Sequence, residues 1–277
     1  MDIIQGIIIG IVQGLTEFLP VSSSAHLVFI QNILGVESSL AFDTFLHLGS
    51  LLAVLWFFRA DIIKMILSWI DSVLDIFQGR FREGLYDDAY KRLAWYVILA
   101  TIPVALVGVL FEDAVEGLFA GALYVPAFFL FVTGTILYLS QRMTSGNINL
   151  KNISAKESVF MGLGQACAIL PGLSRSGTTI AAGLVIGLDK EFAAKFSFIL
   201  SIPAIFGAFV VQVKDIGGAM DANFLPIVLG FIAAFIAGYA AIKWMLELIQ
   251  KRSLDIFAYY CWIVGIVVFI GSIAHIF

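Results

Sequence analysis

Apolar residues gather along this chain into stretches close to 20 residues long, about the length a helix needs to cross the hydrocarbon core of a bilayer. Six stretches qualify, at approximately 41–58, 93–111, 123–141, 192–213, 224–246 and 256–277. Two others are broken in the middle by polar residues. The first runs from about 3 to 35 and breaks at Pro20-Val21-Ser22-Ser23-Ser24. The second runs from about 157 to 188 and breaks at Pro171-Gly172-Leu173-Ser174-Arg175-Ser176-Gly177. Each is expected to fold as a half-helix, a polar turn and a second half-helix that re-enters on the side it came from. Irregular backbone survives at membrane depth only where protein or a wet cavity satisfies it. The segment 62–78 carries Asp71 and Asp75 among apolar residues and reads as an amphipathic helix lying in the interface; the alternative is a short extra span, which would reverse the orientation of everything after it.

The charges orient this pattern. Arg59, Lys64, Arg80, Arg82, Lys91 and Arg92 share one connection, Arg142, Lys151 and Lys156 a second, and Lys251 and Arg252 a third. The alternate connection at 112–122 holds Glu112, Asp113 and Glu116, which read as a solvated acidic loop, and no Lys or Arg; Lys214 stands alone before Phe224. Basic loops stay cytoplasmic, which puts both termini outside. The first interrupted hairpin then dips in from outside and the second from the cytoplasm, each followed by three spans. The expected fold is an all-α polytopic membrane protein with six full spans and two re-entrant hairpins. Its halves, about 1–145 and 146–277, would form an inverted-topology repeat within one membrane domain. Gly10-x-x-Gln13 before Leu19-Pro20 and Ser22 parallels Gly162-x-x-Gln165 before Leu170-Pro171 and Ser174. Inverted repeats with broken helices at the midplane are an established membrane architecture.

Composition supports the membrane reading: 61% of the residues are hydrophobic and 13% charged, where a soluble domain carries about 25% charged. A formal net charge of −4 argues against a nucleic-acid partner. Cys167 and Cys261 lack metal-ligand or disulfide spacing and read as small buried hydrophobes. Gln13, Thr16 and Glu17 interrupt the first apolar run, so a cleaved signal peptide is not expected.

The same polar interruptions carry the candidate chemistry. Gln13 and Glu17 are four apart and share a helix face. Ser22, Ser23 and Ser24 follow Pro20, and His26 comes three residues after Ser23. A carboxylate, hydroxyls and an imidazole suit nucleophilic attack, although N-capping alone would also explain the serines. An ionisable group such as Glu17 inside a bilayer is costly and is read as functional. In the second break Ser174, Arg175, Ser176 and Thr178 crowd a helix N-terminus, where free N–H groups and a guanidinium make an anion site suited to phosphate. Asp43 and His47, four apart in the next span, could line the cavity or pair with each other, and stay outside the catalytic set.

At these residues the resemblance becomes specific. Gln13-Gly-Leu-Thr-Glu17-Phe-Leu-Pro-Val-Ser-Ser-Ser-Ala-His26 resembles the (Glu/Gln)-x-x-x-Glu motif, with its Pro-Val-Ser-Ser and His, of the undecaprenyl-diphosphatases. Pro171-Gly-Leu-Ser-Arg-Ser-Gly-Thr178 is similar to that family's Pro-Gly-x-Ser-Arg-Ser-Gly-x-Thr pattern in its core, with Thr179 at the final threonine if one x is counted. Length and hydropathy agree from end to end. The resemblance implies a plasma-membrane enzyme, its opening on the outer side. It would remove the terminal phosphate of undecaprenyl pyrophosphate and so recycle the lipid carrier for cell-wall polymers, with a tie to bacitracin resistance. It implies Ser23 as nucleophile, His26 as general base, and Glu17 orienting His26 or binding a divalent ion. His26 as nucleophile is the alternative. Ser22, Ser174, Arg175, Ser176 and Thr178 would hold the phosphates, and Mg²⁺ or Ca²⁺ would accompany the pyrophosphate oxygens. Gln13 takes the amide option where Glu is frequent, so it is a weaker metal ligand. Ser24-Ala25 stands where Thr-Gly is common. The rival class is a transporter or flippase for a phosphorylated polyprenyl lipid. The sequence leaves the oligomeric state open, a homodimer included.

Overall fold

The computed structural model describes all residues except 38–39, 112–116, 118–122, 144–145 and 275–277, and describes 40–41 and 213–223 without their side chains. Glu112, Asp113 and Glu116 therefore lie outside the described residues. The described chain is all helical, with eleven helices and no strand among the described residues. The first hairpin is α1 (Ile3–Phe18) and α2 (Ser23–Leu34), followed by α3 (Leu40–Phe57), α4 (Arg59–Phe77) and the short α5 (Phe81–Asp87). Then come α6 (Ala89–Leu110) and α7 (Tyr124–Ser140). The second hairpin is α8 (Ala155–Cys167) and α9 (Arg175–Val185), and the chain ends in α10 (Lys190–Lys251) and α11 (Asp255–Ile273).

Local chemistry accounts for the ends of these helices. Asp2 opens α1 with a capping box: its carboxylate accepts from the Gln5 N–H, and the Gln5 side chain accepts from the Asp2 N–H. Ser154 and Glu157 repeat the device at α8. Gly35, at φ 61°, closes α2 in the left-handed conformation that favours glycine. Pro20 stops α1, since a proline lacks the N–H that the next helical turn would need.

The long stretch after Asp189 differs from expectation in one respect. Residues 192–213 and 224–246 read as separate spans and are separate apolar arms here, but helical backbone continues between them, so that α10 covers 62 residues with Pro203 and Pro226 inside it. Phe18 touches both ends of this element: its ring lies 5.4 Å from Phe198, and its edge lies against Gly238. A straight helix would hold residues 198 and 238 about 60 Å apart. The element therefore serves as two arms, Lys190–Gln212 and Phe224–Lys251, that both reach Phe18. Both arms, α6 and α11 are long and apolar enough to cross a membrane; α1, α3 from Phe42, and α7 are apolar but shorter.

α4 is amphipathic with its polar side turned inward. Trp95 Nε1 donates to Ser72 Oγ at 2.8 Å and Lys91 Nζ pairs with Asp75 Oδ2 at 2.6 Å, while Ile63, Leu67, Ile70, Leu74 and Phe77 face out. An apolar outer face and a charged inner face suit contact with lipid.

The packing that places the first hairpin depends on glycines spaced by four. A Cβ on Gly6, Gly10 or Gly14 would come within 2.5, 2.1 and 2.4 Å of the backbone oxygens of Pro226, Gly230 and Ala234. Without side chains there, α1 lies backbone to backbone along the second arm, as small-residue motifs allow in membranes. Gly10→Leu should therefore destabilise the protein by about 1–3 kcal/mol or more. Gly108→Leu, with nothing within 4 Å of its added Cβ, should leave the thermal midpoint in detergent unchanged.

Candidate active site

The two breaks meet, and serine side chains of each hydrogen-bond to the backbone of the other. Ser176 Oγ donates to the Leu19 carbonyl at 3.0 Å, and the Gly172 N–H donates to Ser24 Oγ at 3.3 Å. Neighbouring helices satisfy what remains. Thr133 Oγ1 in α7 donates to the Gly172 carbonyl at 3.2 Å and accepts from the Ser174 N–H at 3.0 Å. Cys261 Sγ in α11 donates to the Pro20 carbonyl at 3.7 Å. Gly172 is required twice over: its φ is +95°, and a Cβ would lie 2.2 Å from the Pro126 carbonyl oxygen. Ser22 takes φ +66°, unusual for a residue with a side chain, and this turns the chain sharply into α2.

At the meeting point Glu17 is buried, 6% exposed, and each carboxylate oxygen has its own partners. Oε1 accepts from Arg175 Nη2 at 2.5 Å across 158 residues of sequence. Oε2 accepts from Ser23 Oγ at 2.6 Å and from Gln13 Nε2 at 2.9 Å, and His47 Nε2 lies 3.5 Å away. The carboxylate thus holds a hydroxyl from its own hairpin and a guanidinium from the other. Arg175 Nη1 and Thr178 Oγ1 are buried without a protein partner, close to the start of α9. Two orphaned donors beside a helix N-terminus form a cradle for an anion.

The serines divide by role. Ser22 and Ser174 cap α2 and α9, accepting from the N–H groups of Ala25 at 3.4 Å and Gly177 at 3.0 Å. Each also meets the second serine beyond it, Ser22 with Ser24 at 3.2 Å and Ser174 with Ser176 at 3.3 Å. Ser23 alone of the first three directs its hydroxyl to a carboxylate. Glu17, Ser23 and Arg175 come together at this point.

His26 does not join that contact. Its Nδ1 lies 2.8 Å from the Ser22 carbonyl and its Nε2 2.8 Å from the Tyr260 hydroxyl. Glu17 therefore does not orient His26 in this structure; the imidazole beside Glu17 is His47. Its Nδ1 donates to the Asp43 carbonyl at 2.7 Å, which aims Nε2 at the carboxylate. The spacing of Asp43 and His47 had marked this face of α3, but nothing local linked it to Glu17. Asp43 itself accepts from Gln31 Nε2 at 2.6 Å. Tyr260 carried no signal in the sequence, being one aromatic in an apolar helix.

For a divalent cation the protein offers little by itself. Among the described residues no group of three or more His, Cys, Asp or Glu is placed to hold a metal ion. Gln13 Oε1 is nevertheless buried and unpartnered beside Glu17, an oxygen that a hard cation would accept.

Fold and site define a helical membrane protein in which two broken helices close a carboxylate-bound hydroxyl against an anion cradle. Residues 6–267 match the family model described as Bacitracin resistance protein BacA, and the chain belongs to that family. A Methanobrevibacter smithii protein named undecaprenyl-diphosphatase is 81% identical over 277 residues, the full length of both chains. Proteins of the same name from Methanosphaera stadtmanae and Halothermothrix orenii are 48% identical over 275 residues (99% of each chain) and 41% identical over 273 residues (98% of each chain).

Removing one member of a buried pair strands the other. Glu17→Gln should lower stability in detergent by about 3–5 kcal/mol. Glu17→Gln combined with Arg175→Gln should cost less than the sum of the single changes, read from thermal unfolding of all four proteins.

Proposed function

We propose that this protein is an integral-membrane phosphatase that hydrolyses undecaprenyl or a similar polyprenyl pyrophosphate to the monophosphate and inorganic phosphate, returning the lipid carrier to cell-wall synthesis. The relatives named undecaprenyl-diphosphatase support the activity. The observation that carries it is the carboxylate of Glu17, shared by the Ser23 hydroxyl and the Arg175 guanidinium.

In this reading the terminal phosphate settles between Arg175, Thr178 and the N–H groups that open α9. These donors bind the charge that grows on the phosphoryl oxygens in the transition state. Phosphate draws Arg175 away from Glu17, and the carboxylate is then free to accept a proton. Ser23 Oγ attacks the terminal phosphorus while its proton passes to Glu17 Oε2, and the polyprenyl monophosphate leaves. Water then attacks the phosphoserine, inorganic phosphate departs and Ser23 recovers its proton. With Glu17 already at Ser23, His26 is the candidate base for that water, through Nε2. Ser22, Ser174 and Ser176 serve mainly by shaping the two turns. A divalent ion, Mg²⁺ or Ca²⁺, would be held by Gln13 Oε1, Glu17 and the pyrophosphate oxygens, and would neutralise part of the substrate's charge.

The membrane topology belongs to the same proposal: six spans and two re-entrant hairpins in halves of about 1–145 and 146–277, with both termini and the opening outside the plasma membrane. Repeated contacts support it. α1 packs on the second arm of α10 through Gly10 and Gly230, and α8 packs on α6 through Gly162 and Ala100. The Pro20 carbonyl is held from α11 and the Gly172 carbonyl from α7. α7 and α11 cross through Gly134 against the Ala258 carbonyl and Gly265 against the Ala127 carbonyl. This repetition is also the observation that favours a flippase. The two turns nonetheless differ in chemistry, with Ser23 and His26 in one and Arg175 and Thr178 in the other, which suits a reaction better than alternating access.

Purified protein in detergent, where no gradient exists, should release phosphate from long-chain prenyl pyrophosphate. Ser23→Ala and Arg175→Ala should each reduce turnover at least ~10³-fold; near-normal rates for either would remove that residue from the scheme. A chelator should suppress turnover, and Mg²⁺ or Ca²⁺ should restore it.

A further inference from the structure

One ring contact lies outside the Glu17 cluster yet ends on a motif residue. The Ser22 carbonyl can only accept, so the His26 Nδ1 that faces it at 2.8 Å carries a hydrogen. That leaves Nε2 as the nitrogen available for chemistry, and in the neutral ring it accepts from the Tyr260 hydroxyl at 2.8 Å. The rings also stack, with centroids 5.6 Å apart and planes 11° from parallel. Phe29 borders the imidazole at 6.1 Å. Tyr260 reaches His26 across 234 residues, and its chain neighbour Cys261 holds the Pro20 carbonyl. One turn of α11 therefore fixes both the break that follows Glu17 and the imidazole three residues beyond Ser23.

We propose that Tyr260 is a positioning residue for His26. Its hydroxyl and stacked ring set the plane and tautomer of the imidazole, so that Nε2 is held as an acceptor. A reacting water exchanges into the same hydrogen bond. The proposal rests on the phosphatase reading above and adds to it a residue from the last helix, outside both motifs. Tyr260→Phe keeps the ring and its packing and removes only the hydroxyl, so it separates positioning from support of the fold.

Two measurements test this. In the first, kcat and KM for phosphate release are determined for wild type, Tyr260→Phe, His26→Gln and the double variant. The expected result is a kcat about tenfold lower for Tyr260→Phe, the scale of one lost hydrogen bond, with KM within about twofold and no further loss in the His26→Gln background. An equal loss in both backgrounds, or none in wild type, overturns the proposal. In the second, the rate of carbethoxylation at His26 is followed by mass spectrometry, which separates it from His47 and His275. Freed of its hydroxyl partner, Nε2 should react several-fold faster in Tyr260→Phe, and an unchanged rate overturns the pairing. This second measurement needs no turnover. A wild-type protein without phosphatase activity would defeat the functional reading while the carbethoxylation rate still decides the Tyr260–His26 contact.

Discussion

A carboxylate and a guanidinium buried in a membrane protein must find each other, and here that need joins two breaks far apart in the chain. Glu17 and Arg175 each lose hydration on burial, and neither could remain charged there alone. Their contact at 2.5 Å offsets that loss and binds the first hairpin to the second. Everything proposed for the site follows from this one pair. It brings Ser23 and the anion cradle to opposite sides of one carboxylate, and an incoming phosphate can compete for its arginine.

The pair can form only because the surrounding backbone is satisfied. Two non-helical turns leave carbonyl and amide groups without helical partners, and these must be satisfied from elsewhere in the protein. Thr133 and Cys261 reach in from α7 and α11 to two of those carbonyls, and serines within the turns cap the helices that follow. The glycine face of α1 then allows the first hairpin to sit deep against the second arm of α10. Arg175 Nη1, Thr178 Oγ1 and Gln13 Oε1 are among the buried polar atoms that this arrangement leaves without partners. Protein interiors seldom tolerate such atoms without a ligand or water, and all three suit a phosphate or its cation.

Much of this could be read before any coordinates. Proline and serine punctuation placed both breaks, because those residues end and begin helices by mechanisms that are local in sequence. Residue types in the breaks also announced the chemistry, since charge inside an apolar run needs a reason. Partnerships were less legible. The sequence paired Glu17 with His26, nine residues away; the structure pairs it with Arg175 and Ser23 and places His47 beside it. Such choices depend on which faces of α1, α3 and α9 converge, and periodicity fixes a face without naming its neighbour. Tyr260 was invisible for the same reason. Hydropathy did separate the two apolar arms, Lys190–Gln212 and Phe224–Lys251, because each is a long apolar run; it carries no signal for the helical backbone that continues between them.

Convergence of the two turns can be measured directly. An added Cβ on Gly177 lies 3.4 Å from the Cβ of Pro20, close to the 3.5–4.5 Å range that a disulfide spans. With Cys167 and Cys261 replaced by alanine, Pro20→Cys combined with Gly177→Cys should cross-link under mild oxidation. Protein cleaved between the halves should then migrate as one chain until reduced. Two thiols that stay free and separately alkylatable under the same conditions would show that the hairpins do not meet, and the shared carboxylate would go with them.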